Sequence, residues 1–177
     1  MTRPPDATRA SALRTWCAAC CVVLAAASAT VACAAREPVT MPPPHEFEQE
    51  LLDQINAMRL GQGRARLEPN DCLQVHARER AGRLPGADDA PTDELPADCG
   101  DFDYAGENVS RSDQTAAEVV DTWAADELQL PNLVDPRFLD AGVGCVGVAF
   151  DDTDRVAQPG EDVAGMACSV IFQGYAQ

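Results

Sequence analysis

The placement of cysteine constrains this chain more than any other feature. Cys17, Cys20, Cys21 and Cys33 crowd into the N-terminal stretch, while Cys72, Cys99, Cys145 and Cys168 are spread through the rest. Eight cysteines in 177 residues point to an oxidising compartment. The second group is an even set without C-x-x-C spacing, so disulfides are expected rather than a thiolate metal site. More than one pairing is possible. The pairing taken is Cys72–Cys99, which would pin a long loop to the start of the second helix, and Cys145–Cys168, which would join neighbouring strands. With both bonds formed, no thiol is left for nucleophilic chemistry.

The first group belongs to a different kind of segment. Arg3, Arg9 and Arg14 stand against a single acid, Asp6, and the apolar run WCAACCVVLAAASATVAC extends from Trp16 to Cys33. Basic residues, then an apolar core, then small residues make a secretory signal over 1–32, which places the remainder of the chain outside the cytoplasm. Thr30-Val31-Ala32-Cys33 resembles a bacterial lipobox, with Thr30 where an aliphatic residue is usual. That resemblance implies lipidation of Cys33 and a membrane contact made through an N-terminal lipid anchor alone. Ordinary cleavage near Ala32 or Ala34 would give a secreted protein instead. Residues 33–45, with Pro42, Pro43 and Pro44, read as a stiff Pro-rich tether leading to a domain over 46–177.

That domain has a globular composition. The whole chain is 46% hydrophobic and 24% charged, with a formal net charge of −16. Strong acidity excludes nucleic acid as a partner, since phosphate recognition needs clustered cations. Phe47, Leu51, Leu52, Ile55 and Met58 form one stripe of a first helix over EFEQELLDQINAMR, with Glu46, Glu48 and Glu50 at its positive end and Arg59 at the other. A second helix is expected after Asn70 or Asp71, burying Leu73, Ala77, Ala81 and Leu84. Residues 86–103 read as a long acidic loop. Thr115-Ala116-Ala117-Glu118 is a capping box that starts a third helix, whose apolar face is Val119, Val120 and Trp123 and which Pro131 should close. Two strands, 142–150 and 166–175, are joined by a solvated connection over 151–165.

Three motifs in this order resemble the CAP superfamily, the SCP-like class that includes cysteine-rich secretory, antigen-five and plant pathogenesis-related proteins. They are INAMRLGQGRARLEPNDCL, then Gly106-Glu107-Asn108-Val109, then Trp123 followed by Asn132-Leu133, Asp135-Pro136-Arg137-Phe138 and Gly142-Val143-Gly144. The last run is similar to the bacterial branch. The resemblance implies an α+β fold, an α-β-α sandwich with a small antiparallel sheet between helices. It also implies a cavity in which two histidines and two acids can hold a divalent metal. Glu107 matches one acid, and Asp126 stands in the place of the other, one methylene shorter. Gln129 occupies the position of one histidine, and 86–103 contain none for the other.

His45 and His76 are the only histidines in the chain. Zinc favours imidazole among nitrogen donors, so no metal and no cofactor is expected at this cavity. Glu107, Asp126 and His76 remain candidates for catalysis without any of them standing as a catalytic residue outright. Glu107 could act as a general base. The reading preferred is a structural carboxylate that accepts from backbone N–H groups. His76 could partner Glu107, but reads as a half-buried residue on a helix edge. Asp101 to Gly106 opens like a calcium loop, yet Ala105 and Ser112 fail the later ligand positions. Ser110 and Ser112 lack a nucleophile elbow. The chain therefore reads as an extracytoplasmic, lipid-anchored or secreted binding module for an unknown protein or a small apolar ligand. The alternative is a metal-assisted or acid–base hydrolase using Glu107 with Asp126 or His76.

Overall fold

The computed structural model describes residues 41–87, 94–150 and 154–176. The expected signal segment, Cys33, the first part of the expected tether and the middle of the acidic loop lie outside these residues. Helix α1 (Pro44–Gly61) starts on two prolines, with Pro43 as its cap and Pro44 within the first turn. A proline there forfeits only an N–H that has no partner anyway. Pro44 thus belongs to the helix, and Met41 just before it is already buried in the core. Phe47, Leu51 and Ile55 are buried along the expected stripe, each contributing roughly 1.5–3 kcal/mol of burial. Leu52 and Met58 pack at its margin.

A short strand β1 (Glu68–Pro69) leads into α2 (Asp71–Ala81), which Asn70 caps by accepting from the Leu73 amide. Strand β2 (Tyr104–Ser112) comes after the long loop. The Thr115 capping box opens α3 (Ala116–Ala125), with both reciprocal hydrogen bonds formed. Pro131 does not close that helix. Asp126 already ends it, and Pro131 sits in the first turn of a separate short helix, α4 (Leu130–Val134). Two long strands, β3 (Phe138–Ala149) and β5 (Gly165–Gly174), flank a two-residue strand β4 (Arg155–Val156) that pairs back onto β3.

The sheet runs β1-β3-β5-β2. The long pairs are antiparallel, as expected, but β1 pairs with β3 in parallel, so the sheet is mixed rather than purely antiparallel. Strand alternation sorts the side chains into two layers. Ala141, Val143 and Cys145 of β3, with Cys168, Val170 and Phe172 of β5, meet α1, α3 and α4 on one face. On the other face Ile171 packs against Leu73 and Ala77 of α2, and Ala167 and Val148 pack with Leu84. This is the expected α-β-α sandwich.

The glycines of the Gly142-Val143-Gly144 run explain how close α2 lies. A Cβ on Gly142 would fall 2.2 Å from the Leu73 carbonyl carbon, and one on Gly144 would fall 2.0 Å from the Arg78 nitrogen. Helix backbone therefore rests directly on strand backbone. Two disulfides, Cys72–Cys99 and Cys145–Cys168, complete the frame with the pairing taken from the sequence. The first ties the acidic loop to α2. The second joins register partners on β3 and β5.

Candidate functional site

Each motif residue is placed by a specific bond. Asn56 of α1 donates to the Leu67 carbonyl (3.1 Å) and accepts from the Leu67 amide (2.7 Å), which brings the chain into β1. Arg59 lies in the last turn of α1, as expected for a cation at a helix C-terminus, but it is fully buried rather than a surface complement to the dipole. Its guanidinium donates to the carbonyls of Ala65, Leu133, Asp135 and Phe138 at 2.8–3.1 Å. A charge that donates several bonds to carbonyls can stay buried, since carbonyl dipoles replace its water. It clamps α4 and the start of β3 onto α1.

Around Glu107 the strand is wired on both sides. A Cβ on Gly106 would come within 2.6 Å of the Asn132 Oδ1, so a larger residue there would push the Asn132 side chain out of its place. Asn132 donates to the Glu107 carbonyl (3.0 Å) and to Asn108 Oδ1 (2.9 Å), and Asn108 donates to the Gln129 carbonyl (3.1 Å). Trp123 Nε1 donates to the Val109 carbonyl (2.9 Å). These bonds hold α3 and α4 against one face of β2.

The Glu107 side chain points to the opposite face, toward α2. Arg80 grips it with Nε on Oε1 (2.7 Å) and Nη2 on Oε2 (2.6 Å), and Ser169 of β5 donates its hydroxyl to Oε1 (2.7 Å). The two charged side chains are only 5% and 12% exposed. The expectation that backbone amides hold this carboxylate is corrected. Amides in a ladder lie in the sheet plane, whereas a strand side chain leaves that plane and meets the side chains of the covering helix.

The three candidates are not brought into one cluster. His76 lines a 390 Å³ cavity with Arg80, Glu79, Arg83, Glu94 and Pro96. Its imidazole is engaged by Asp98 at Nε2 (3.0 Å) and lies 4.0 Å from Glu79 at Nδ1. Asp126 caps the turn after α3, accepting from the amides of Leu128 (2.7 Å) and Gln129 (3.1 Å). Those two amides hold its carboxyl below the ordinary range. Asp126 belongs with α3 and α4, across the sheet from the α2-facing carboxylate of Glu107. His45 is exposed beside Glu46.

This donor set does not fit a divalent metal at Glu107. Its carboxylate is committed to a cation and a hydroxyl, Asp126 caps a helix end, and Gln129 offers an amide rather than an imidazole. Among the described residues, Gln129 Oε1 is a buried side-chain oxygen without a hydrogen-bond partner, and a weak, neutral ligand atom for a metal.

Sequence reasoning missed Arg80 and Ser169. Arg80 carried a signal: it falls on the apolar stripe that joins Leu73, Ala77 and Leu84, where an arginine needs a buried acid. Ser169, inside a run of strand formers, carried none. A second ion pair, with its acid buried and its arginine half exposed, was also missed. Glu48 of α1 is 3% exposed, accepts from Arg78 and Gln74 of α2, and accepts the Cys145 amide at 3.0 Å.

The family model described as "CAP: Cysteine-rich secretory protein family" matches residues 52–155, more than half of the chain. The chain belongs to the CAP family. YkwD of Bacillus subtilis (strain 168), described as uncharacterized, is 28% identical over 109 residues, which cover 56% of this chain and 42% of that relative. A cysteine-rich secretory protein from Staphylococcus aureus shares the CAP fold at a TM-score of 0.51 with 15% identity, over 79% of this chain and 42% of that one. An extracellular SCP-domain protein from Bacillus anthracis matches at 0.50 with 18% identity, over 74% and 41%. The chain spans less than half the length of each of these relatives. Within the CAP domain, the GEN glutamate and the W…N-L run thus serve as joints: Gly106, Asn108, Trp123 and Asn132 bind helices to strand, and Glu107 binds strand to α2.

Proposed function

We propose that this CAP domain is an extracytoplasmic binding module, tethered through lipidated Cys33, whose family cavity site has become a structural joint. The observation that carries this reading is the two-point grip of Arg80 on Glu107. A carboxylate held by a guanidinium is neither a free base nor an available metal ligand. The arginine-led apolar segment, the disulfide framework and the extracellular description of the Bacillus anthracis neighbour support the location.

The seat that best suits a small, partly apolar ligand is the 430 Å³ groove between α1 and α2. Leu52, Pro69, Ala141 and Val143 supply apolar wall, and Asp53 and Asp71 supply an acidic rim. That volume suits a small molecule. The test compares wild type with Glu107→Gln for hydrolysis of ester, peptide and glycoside substrates, with and without added divalent cations. Equal background rates are expected. An activity that Glu107→Gln removes while the fold stays intact would establish the hydrolase instead. Displacement of a neutral, apolar fluorescent probe, lost in Leu52→Glu, is the expected sign of the groove. Mass measurement of the mature N-terminus tests the anchor.

A further inference from the structure

The strongest chemistry outside the Glu107 joint lies at the base of α2. Cys72, His76, Asp98 and Cys99 each offer one ligand atom, and these atoms all lie within 4.8 Å of one another. Cys72 and His76 are one helical turn apart on the same face of α2. Asp98 and Cys99 come from the facing loop. The sulfurs are bonded to each other, and His76 Nε2 lies 3.0 Å from the Asp98 carboxylate. We infer that this cluster is a disulfide-gated metal site: when the Cys72–Cys99 bond is opened, the two thiolates, the His76 imidazole and the Asp98 carboxylate bind one Zn²⁺.

The donor chemistry fits. A Cys₂-His-carboxylate set suits tetrahedral zinc, with neighbouring ligand atoms about 3.3–3.8 Å apart when bonds are about 2.0–2.3 Å. Opening the disulfide lets the sulfurs part by the small distance this needs, within a span the cluster already has. The Nε2 nitrogen faces the cluster, and the Nδ1 side lies toward Glu79 Oε2. At 4.0 Å the Glu79 carboxylate is beyond hydrogen-bond distance of the ring. C-x-x-C spacing could not reveal this site, because the loop donors stand more than twenty residues from the helix donors.

The redox step balances. A dithiol reductant attacks one sulfur, the mixed disulfide resolves to the cyclic disulfide of the reductant, and its two electrons and two protons leave Cys72 and Cys99 as thiols. Zinc then displaces those two protons as it binds the thiolates. Access favours this bond over its counterpart. Cys72 is exposed and Cys99 partly so, whereas Cys145 and Cys168 are only 3% and 0% exposed.

The test uses the full mature chain, treated with a limiting dithiol and then titrated with zinc against a chromophoric chelator. About one equivalent should bind to the reduced chain and none to the oxidised chain. His76→Ala should weaken binding by about tenfold or more, and Cys72→Ser/Cys99→Ser should abolish it. Cobalt in place of zinc should give thiolate charge-transfer absorption that is lost in the double variant. Circular dichroism confirms that the reduced, zinc-loaded chain is folded. Retention of no metal, retention unchanged in His76→Ala, or loss of fold with zinc present would each overturn the inference.

Discussion

Arg80 and Glu107 form a pair whose removal should behave asymmetrically. Both side chains are largely buried, so each solves the desolvation of the other. Arg80→Ala leaves a carboxylate with only the Ser169 hydroxyl among these two partners, and should cost about 3–5 kcal/mol. Replacing both by leucine should cost far less than that single change, since no buried charge remains. Urea denaturation of the singles and the double measures it. Equal losses in Arg80→Ala and the double leucine variant would mean that the pair is exposed in solution. Asp126 tests a different kind of carboxylate. Two amides stabilise its charged form and lower its pKa from the ordinary 3.8. Its contribution is therefore present above that ordinary value and is lost as pH falls through the lower folded value. Asp126→Ala should destabilise the domain at neutral pH, and the difference from wild type should vanish in strong acid. Thermal melts across that range would show it.

At the scale of elements, α2 acts as a strap. Arg78 ties it to Glu48 of α1, Arg80 ties it to Glu107 of β2, and Gly142 and Gly144 let its backbone rest on β3. Gly144→Ala would put a methyl group where the Arg78 nitrogen stands, at 2.0 Å, and neither backbone can yield without moving the helix. A loss of about 3 kcal/mol or more is expected, in the range of severe overpacking, measured by chemical denaturation. Gly61→Ala, with open space around it, is the control and should be nearly neutral. The elements that the sequence made legible are those whose signal is local. The Thr115 capping box, the Asn70 cap and the apolar stripes of α1 and α2 each arise from neighbouring residues alone. Glu107 was legible as a singular residue, but its partner was not, because Arg80 and Ser169 reach it across 27 and 62 positions of chain. The two-residue strands β1 and β4 escaped for the same reason: each exists only through its partner β3. Arg59 misled because a basic residue at a helix end reads as a dipole complement, and nothing local tells that four carbonyls converge on it.

At the scale of the whole molecule, the two disulfides do different work. They span 27 and 23 positions, so the chain-entropy contribution of each is about 3–4 kcal/mol. Their surroundings differ. Cys145 and Cys168 sit within the core shared by α1, α3 and the sheet, so cutting this bond also disturbs packing. Cys72–Cys99 lies at the margin, beside the small cluster of Leu73, Ala77 and Ile171. Cys145→Ala/Cys168→Ala should therefore lower the melting temperature more than Cys72→Ser/Cys99→Ser does, despite the shorter loop it closes. The same layering orders their reactivity. Thiol–disulfide exchange needs a direct approach to a sulfur, and only the marginal bond offers one while the sandwich is closed. Limited reduction in native buffer, then alkylation and peptide mass mapping, should label Cys72 and Cys99 well before Cys145 and Cys168. The core pair should react only at the rate of global unfolding and should accelerate with urea, whereas the marginal pair should be nearly indifferent to sub-denaturing urea. Early labelling of Cys145 or Cys168 would mean that the α1–α3 layer opens on its own, and that the strap formed by α2, rather than the helical core, is what holds the sheet together.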